Sequence, residues 1–73
     1  MSIGERAARA IKTRVASNGT SLKVELAELS VSYAMFNHWE HGRFSPSAFF
    51  LRRMALAGYD VVWILTGGSK RGK

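Results

Sequence analysis

The hydrophobic residues of this chain recur at helical spacing, and no stretch alternates cleanly between apolar and polar residues over the length of a strand. A first helix is predicted from Ser2 to about Ser17. Ser2 can cap its N-terminus, and Glu5 follows at the spacing of a capping box. Asn18 and Gly19 end it, since both tolerate the left-handed conformation that follows a helix. Its narrow apolar face comprises Ala7, Ala8, Ala10, Ile11 and Val15.

A second, shorter helix is predicted after this Asn-Gly stop. Thr20 or Ser21 can cap its N-terminus, and the helix ends near Ser30. Three leucines at positions i, i+4 and i+7 place its apolar side on a single face, as in a helix that rests on a core. These leucines are Leu22, Leu26 and Leu29.

A third helix is predicted from Tyr33 to His41, with Ser32 as its N-cap and Gly42 as its stop. Phe36 and Trp39 lie three residues apart and therefore share one side of this helix. Smaller and hydrogen-bonding residues fan across the opposite side. We therefore expect a helix that is anchored by two aromatic rings and presents a polar face.

Two more helices complete the predicted fold. Ser45 and Pro46 mark the start of a fourth helix that runs to Ala57, with proline in its first turn. A fifth, from about Val61 to Leu65, is capped by Asp60. The chain is thus predicted to be all-α, one compact five-helix domain over residues 1–68 with a basic, flexible tail over 69–73. The predicted core comprises Ile11, Val15, Leu22, Leu26, Leu29, Val31, Phe36, Trp39, Leu51, Met54, Trp63 and Leu65.

The length and composition of the chain limit the classes of function that it can have. A chain of 73 residues holds one domain with a thin core, which leaves little space for a deep catalytic cleft. Eleven Lys and Arg against five Asp and Glu give a net charge of +6, which favours an anionic partner, either nucleic acid or an anionic membrane surface. The absence of cysteine excludes disulfides and Cys-ligated metal sites. No apolar run approaches the ~20 residues of a membrane span, and no secretory signal is recognisable.

The short connection from Leu29 to Ser32 joins the second and third helices as in a helix-turn-helix. In that motif the second helix enters the DNA major groove, so its inner side needs large apolar anchors and its outer side needs small or hydrogen-bonding groups. Asparagine can pair with adenine, and alanine can contact a thymine methyl group. The candidate base contacts are Ser32, Tyr33, Ala34, Asn37, His38 and His41. The alternative interpretation is two ordinary packed helices with a solvated outer face.

Four segments, in this order, resemble the Cro and phage-repressor helix-turn-helix family, the XRE class. They are Ile3-Gly4-Glu5-Arg6, the run from Glu25 to Ser32, the W-E-x-G-x-x-x-P pattern that begins at Trp39, and the G-x-D-V-x-W-x-L-T-G pattern from Gly58 to Gly67. The resemblance covers nearly the whole chain. It implies a lambda-repressor-like fold and a sequence-specific, double-stranded DNA-binding transcription regulator of a prophage or mobile element. It also implies a location in the cytoplasm of a bacterial host, or on its nucleoid.

The chain departs from the family pattern around the turn. Ser30 stands where the family usually has glycine. Counting back without a gap places Leu26 at the position of a small alanine, Glu25 at that of a buried leucine, and Leu22 where a phosphate-binding glutamine is frequent. Matching the E-L-A letters instead requires a one-residue deletion, and the gapless register is favoured because it keeps the three leucines on one face. Residues 19–41 hold one Lys and three Glu, so the motif itself is mildly acidic.

Candidate phosphate contacts and a dimer interface lie outside the third helix. The phosphate candidates are Arg14, Lys23, Arg43, Lys70, Arg71 and Lys73. Glu40 resembles an acidic residue of the family that pairs with a basic group on the first helix, here Arg9, Lys12 or Arg14. Regulators of this class pair two half-sites, so a homodimer is expected. The C-terminal segment is rich in large apolar residues, and the predicted interface comprises Tyr59, Val61, Val62, Trp63 and Ile64.

Other functions find less support in the sequence. His38 and His41 lack a third metal ligand, and no oxyanion loop or pocket indicates an enzyme, so no cofactor, metal, membrane or small-molecule substrate is predicted. One alternative is an antitoxin or another protein-interaction module on the same fold. A second is a domain whose DNA binding is weak or lost, which the acidic motif and Leu22 favour.

Overall fold

Five helices account for most of residues 1–68, the part of the chain that this computed structural model describes. They are α1 (Ile3–Asn18), α2 (Leu22–Leu29), α3 (Tyr33–Glu40), α4 (Ala48–Leu56) and α5 (Val61–Thr66). This part of the chain contains no strand, which confirms the all-α prediction. α1 packs against α2, α3 and α5, while α4 packs against α2 and α5. The predicted tail over 69–73 lies outside the described residues.

Local capping groups explain where four of the helices begin. The Ser2 hydroxyl accepts the Glu5 N–H at 3.1 Å, and the Glu5 carboxylate accepts the Ser2 N–H at 2.7 Å, which completes the predicted capping box. Hydrogen bonding of the Glu5 carboxylate, first to the Ser2 backbone N–H and next to the Ser2 side chain, lowers the pKa of Glu5 because it stabilises the charged form. The side chains of Ser21, Ser32 and Asp60 cap α2, α3 and α5 in the same way, as predicted.

The start of α4 differs from the prediction. The helix begins at Ala48 with Ser47 at the N-cap, so Ser45-Pro46 lies before the helix and not in its first turn. A serine suited to a helix start occurs at both 45 and 47. Because Pro46 is buried in the connection that precedes α4, the chain turns into the helix at the second serine.

The core forms around the inner side of α3, where Phe36 and Trp39 are fully buried. The buried residues are Ala7, Ala8, Ile11, Leu26, Leu29, Val31, Phe36, Trp39, Met54, Tyr59 and Ile64. The predicted core residues Val15, Leu22, Leu51 and Trp63 pack against this cluster and are partly buried. Leu65 was predicted in the core but is 44% exposed, because Ile64 supplies the inward-facing side chain of the short α5. The two small alanines of α1 were not predicted in the core.

Gly4 allows a close approach between α1 and the connection that follows α3. A Cβ atom at this position would overlap the carbonyl oxygen of Phe44 and crowd that of Trp39. Both obstacles are backbone atoms, which cannot rotate away as a flexible side chain can. The glycine near the N-terminus is therefore required by packing.

Candidate nucleic-acid interface

α3 has an anchored side and an open side. On the anchored side Trp39 is completely buried, and its ring meets that of Phe50 edge-on with centroids 5.6 Å apart. Such an arrangement of aromatic rings is favourable beyond the area it buries. The helix therefore cannot rotate about its axis without withdrawing two large aromatic groups from the core.

The open side carries the residues predicted to contact bases. Tyr33 is 67% exposed, and Ala34 and Asn37 are also exposed. No hydrogen bond within residues 1–68 engages the Asn37 amide, so its donor and acceptor face solvent together. These three residues form one surface on the side of α3 away from the core. Asn37 supplies its hydrogen-bonding groups, and Tyr33 and Ala34 supply its apolar area.

The other three predicted base contacts have structural partners. The Ser32 hydroxyl accepts the Met35 N–H at 3.0 Å, and the His41 ring donates Nδ1–H to the Asn37 carbonyl at 2.9 Å. His38 is half-buried, and its ring lies against Phe44 with centroids 4.7 Å apart. Ser32 keeps its hydroxyl proton, and His41 keeps its second ring nitrogen, Nε2, for a further hydrogen bond. These residues can still reach a ligand, but with fewer orientations than Asn37.

The connection between α2 and α3 is held from outside by Arg53 of α4. Ser30 adopts φ 59° and is the one non-glycine residue of the described chain with a positive φ. Arg53 donates from Nε to the Leu29 carbonyl and from Nη2 to the Ser30 hydroxyl, each at 3.1 Å. Serine at a position that favours glycine is thus stabilised by a tertiary contact. Arg53 was not among the residues predicted from the sequence, since nothing local links it to a turn 23 residues away.

Glu25 is buried, as expected from the gapless register, which places it where the family has a buried leucine. It is 6% exposed and accepts a 2.6 Å hydrogen bond from the Tyr59 hydroxyl. Leu26 and Leu29 are buried on the same helix and Leu22 is half-buried, which agrees with the register of three leucines on one face. Burial, and next the bond to Glu25, raise the pKa of Tyr59 well above its ordinary value.

Arg14 was predicted to contact phosphate, but its guanidinium is committed inside the molecule. It lies 3.9 Å above the Tyr59 ring, donates to the Ala57 carbonyl at 2.6 Å, and stands 3.9 Å from the Glu25 carboxylate. The Arg14 cation is thus held by an aromatic face, a carbonyl and a buried carboxylate of its own chain. Its contact with phosphate stays a prediction.

The other charged residues with a predicted contact fall into three groups. Lys23 and Arg43 are exposed, at the first turn of α2 and just beyond α3. Lys70, Arg71 and Lys73 lie outside the described residues. Glu40 forms its ion pair with Lys12 of α1, which was among the three partners proposed for it.

Arg6 completes a set of arginines that bind the carbonyl ends of other helices. Its Nε donates to the Ile64 carbonyl at 2.8 Å and its Nη2 to the Leu65 carbonyl at 3.2 Å, both at the end of α5. Arg14 binds the end of α4 and Arg53 the end of α2, as described above. We call Arg6, Arg14 and Arg53 the capping arginines. Each offsets the partial negative charge of a helix C-terminus.

The predicted dimer interface is incorrect at two of its five positions. Ile64 is completely buried and Tyr59 is 8% exposed, since both side chains complete the core of their own chain. Val61 and Trp63 are half-buried, and Val62 is exposed. The core therefore uses Tyr59 and Ile64, while Val62 and Leu65 of the same segment stay exposed.

No group of three or more His, Cys, Asp or Glu side chains within residues 1–68 is arranged to hold a metal ion. Across the same residues, no helix combines the length and the hydrophobicity needed to cross a membrane. Compared with known protein families, curated proteins and solved structures, the chain matches none of them.

Proposed function

We propose that this protein binds double-stranded DNA in a sequence-specific manner and regulates transcription, with α2, the Leu29–Ser32 connection and α3 acting as a helix-turn-helix. A regulator of a prophage or mobile element is the context that the sequence resemblance implies. The observation that carries the proposal is the two-sided α3, whose aromatic residues are buried while Tyr33, Ala34 and Asn37 are exposed opposite them. A helix presented in this way matches what major-groove readout requires.

Asn37 is the central residue of the proposed base readout. Its side chain offers an acceptor and a donor in one plane, which complements the N6 and N7 groups of adenine. The methyl group of Ala34, one turn earlier on the helix, suits a thymine methyl group. The unsatisfied amide of Asn37 thus supplies hydrogen bonds, and its neighbour supplies an apolar contact.

Lys23 and Arg43 are proposed to bind the phosphates on either side of this reading surface. Both side chains are exposed, and neither forms an ion pair within the described residues. Phosphate-binding side chains position a protein on DNA without reading its sequence. Replacing either cation by alanine should reduce the slope of log affinity against log salt by roughly one.

The test is selection of bound sites from a random duplex library, followed by gel shifts at low and physiological salt. Asn37→Ala should cost about 1–3 kcal/mol of binding free energy on the selected site and relax the preference at one base pair. Asn18→Ala is the matched control, because Asn18 is an exposed asparagine on α1. Failure of the wild type to bind any duplex at low salt would overturn the proposal. So would an unchanged base preference after substitution of each residue on the open side.

A second candidate is a protein-interaction module, and α4 supplies the observation that favours it. Phe49 and Leu56 lie seven residues apart on this helix and are 58% and 76% exposed. Large apolar groups exposed on a small protein are typical of an interface. The library selection separates the two functions, since a module without DNA binding would enrich no sequence.

A further inference from the structure

We propose that a groove between α1 and the start of α5 binds a small aromatic carboxylate, with the Arg9 guanidinium on the carboxylate and Trp63 against the ring. The groove measures about 480 Å³, which is within the range of small-molecule sites. None of its lining residues belongs to α2 or α3. The inference therefore goes beyond the proposed function, because the site lies away from the open side of α3 and its ligand binds without DNA.

The α1 wall of the groove is polar above and open below. Arg9, Thr13 and Ser17 follow one another at a spacing of four residues, so they lie along one face of the helix, and all three are exposed. Ala10 lines the groove beside them. Its side chain is small, which leaves the space in front of Trp63 unfilled.

The opposite wall is aromatic and fixed in place. Tyr59 is 8% exposed, and the Arg14 guanidinium covers its ring while donating to the Ala57 carbonyl. Trp63 is half-buried, and its backbone N–H donates to the Asp60 carboxylate at 3.1 Å. A wall that is already ordered by contacts within the protein costs little entropy when a ligand binds it.

The charges of the groove favour a single carboxylate as the anion. Arg9 forms no ion pair within residues 1–68, whereas Arg14 is held by its own chain. A guanidinium donates two parallel hydrogen bonds to a planar carboxylate. Asp60 also lines the groove, and its negative charge disfavours a doubly charged phosphate. A ring joined to the carboxylate would lie against Trp63, where aromatic contact is favourable.

A neighbouring groove of about 590 Å³ also includes Arg9 but has the opposite character. Its lining contains the carboxylates of Glu5 and Glu40 and no aromatic residue. Two negative charges repel an anion, and no ring is present to receive an aromatic group. An aromatic carboxylate that binds Arg9 is therefore expected on the Trp63 side.

A nuclear magnetic resonance titration of the full chain with benzoate, without DNA, tests the site. The indole N–H of Trp63 and the Nε–H of Arg9 should shift together and saturate in the millimolar range, as expected of so small a ligand. The indole N–H of Trp39, which is fully buried in the core, should not move. Shifts of neither Trp63 nor Arg9, or equal shifts of both indoles, would overturn the proposal.

Three further probes test the chemical class of the ligand. Benzamide has the ring without the charge, and cyclohexanecarboxylate has the charge without the aromatic ring. Each should bind at least about threefold more weakly than benzoate, because each loses one of the two contacts. Phenyl phosphate should also bind more weakly. Equal or tighter binding of any of these probes would overturn the assignment to an aromatic carboxylate.

Arg9→Gln tests the anion contact, since glutamine keeps part of the side-chain length and removes the charge. Benzoate affinity should fall by about fivefold or more. Arg52→Gln is the matched control, because Arg52 is an exposed arginine on α4 outside the groove. It should bind benzoate like the wild type, and thermal melts followed by circular dichroism show that both variants are folded. Unchanged affinity in Arg9→Gln, or an equal loss in Arg52→Gln, would contradict the proposed role of Arg9.

Discussion

The carbonyl ends of α2, α4 and α5 and the open side of α3 use their polar groups in opposite ways. At the helix ends, the capping arginines bind carbonyls from other helices at 2.6–3.2 Å. On the open side of α3, the Asn37 amide and the Tyr33 ring face solvent without such partners. Satisfied polar groups hold the fold together, and unsatisfied exposed ones are left to bind a ligand.

This difference changes how the positive charge of the chain is interpreted. A net charge of +6 favours nucleic acid as a partner, yet three of the arginines that produce it bind the protein itself. The planar guanidinium suits this role because it can donate to two carbonyls at once. The cations proposed for DNA are therefore the exposed Lys23 and Arg43, and not the arginines nearest the core.

The largest loss of unfolding free energy is expected for a substitution on the anchored side of α3, and a substitution on its open side should have almost no effect. Trp39→Ala should lower the free energy of unfolding by about 3–5 kcal/mol, because it removes a fully buried ring. That loss approaches the whole stability of a small domain. Asn37→Ala, on the open side, should change stability by less than about 0.5 kcal/mol. Urea denaturation of both variants makes the comparison, and equal stabilities would show that α3 faces the other way.

The capping arginines come next. Arg53→Met should cost about 1–3 kcal/mol, since the partly buried Leu29 carbonyl at the end of α2 loses its charged donor. Ser30→Gly relieves about 1–2 kcal/mol of left-handed strain, but in the wild type it also removes the hydroxyl that Arg53 binds. The gain from Ser30→Gly should therefore be larger in the Arg53→Met background. A double-mutant cycle measures this coupling, and strict additivity would mean that Arg53 does not hold the turn.

The raised pKa of Tyr59 predicts that the protein loses stability at alkaline pH. Its pKa is raised in the folded state by burial and by Glu25, so its contribution to stability is complete below the ordinary pKa of 10.0 and is lost as the pH rises toward the folded value. Tyr59→Phe should cost about 1–3 kcal/mol at neutral pH, because Glu25 loses its donor. The difference from wild type should then narrow above pH 10. Thermal melts across this range test it, and the exposed Tyr33→Phe should keep the wild-type pH profile.

The smallest expected effect is that of the Lys12–Glu40 ion pair, which joins α1 to the end of α3. Both side chains are substantially exposed, so water screens their attraction. Lys12→Ala should change the free energy of unfolding by about 0–1 kcal/mol, and less at high salt. A loss of unfolding free energy comparable to that of Arg53→Met would show that this ion pair contributes as much to stability as a capping arginine.

The parts of the fold that depend on local chemistry were predictable from the sequence. Ser2, Ser21, Ser32 and Asp60 cap helices through residues only three positions away. The start of α4 was misplaced because two serines offered the same local signal and burial of Pro46 selected between them.

Contacts between distant residues were not predictable in this way. The inward side of α5, which buries Ile64 and not Leu65, depends on how the helix docks. The capping contacts of Arg6, Arg14 and Arg53 join residues 23 to 59 positions apart. The open side of α3 was predictable because helical spacing alone places Asn37 opposite Phe36 and Trp39. What binds that side depends on a partner that helical spacing does not identify.

Whether DNA binds the open side of α3 is decided by a nuclear magnetic resonance titration of the labelled protein with the duplex selected from the library. The titration observes the Asn37 side-chain amide and the Nε–H groups of Arg6, Arg14 and Arg53 in one experiment. We expect large shifts for Asn37 and for the backbone of α3, with the three arginine signals nearly unchanged. Large shifts of the arginine signals with unchanged α3 signals would contradict this proposal. DNA would then bind near the capping arginines and not on the open side of α3.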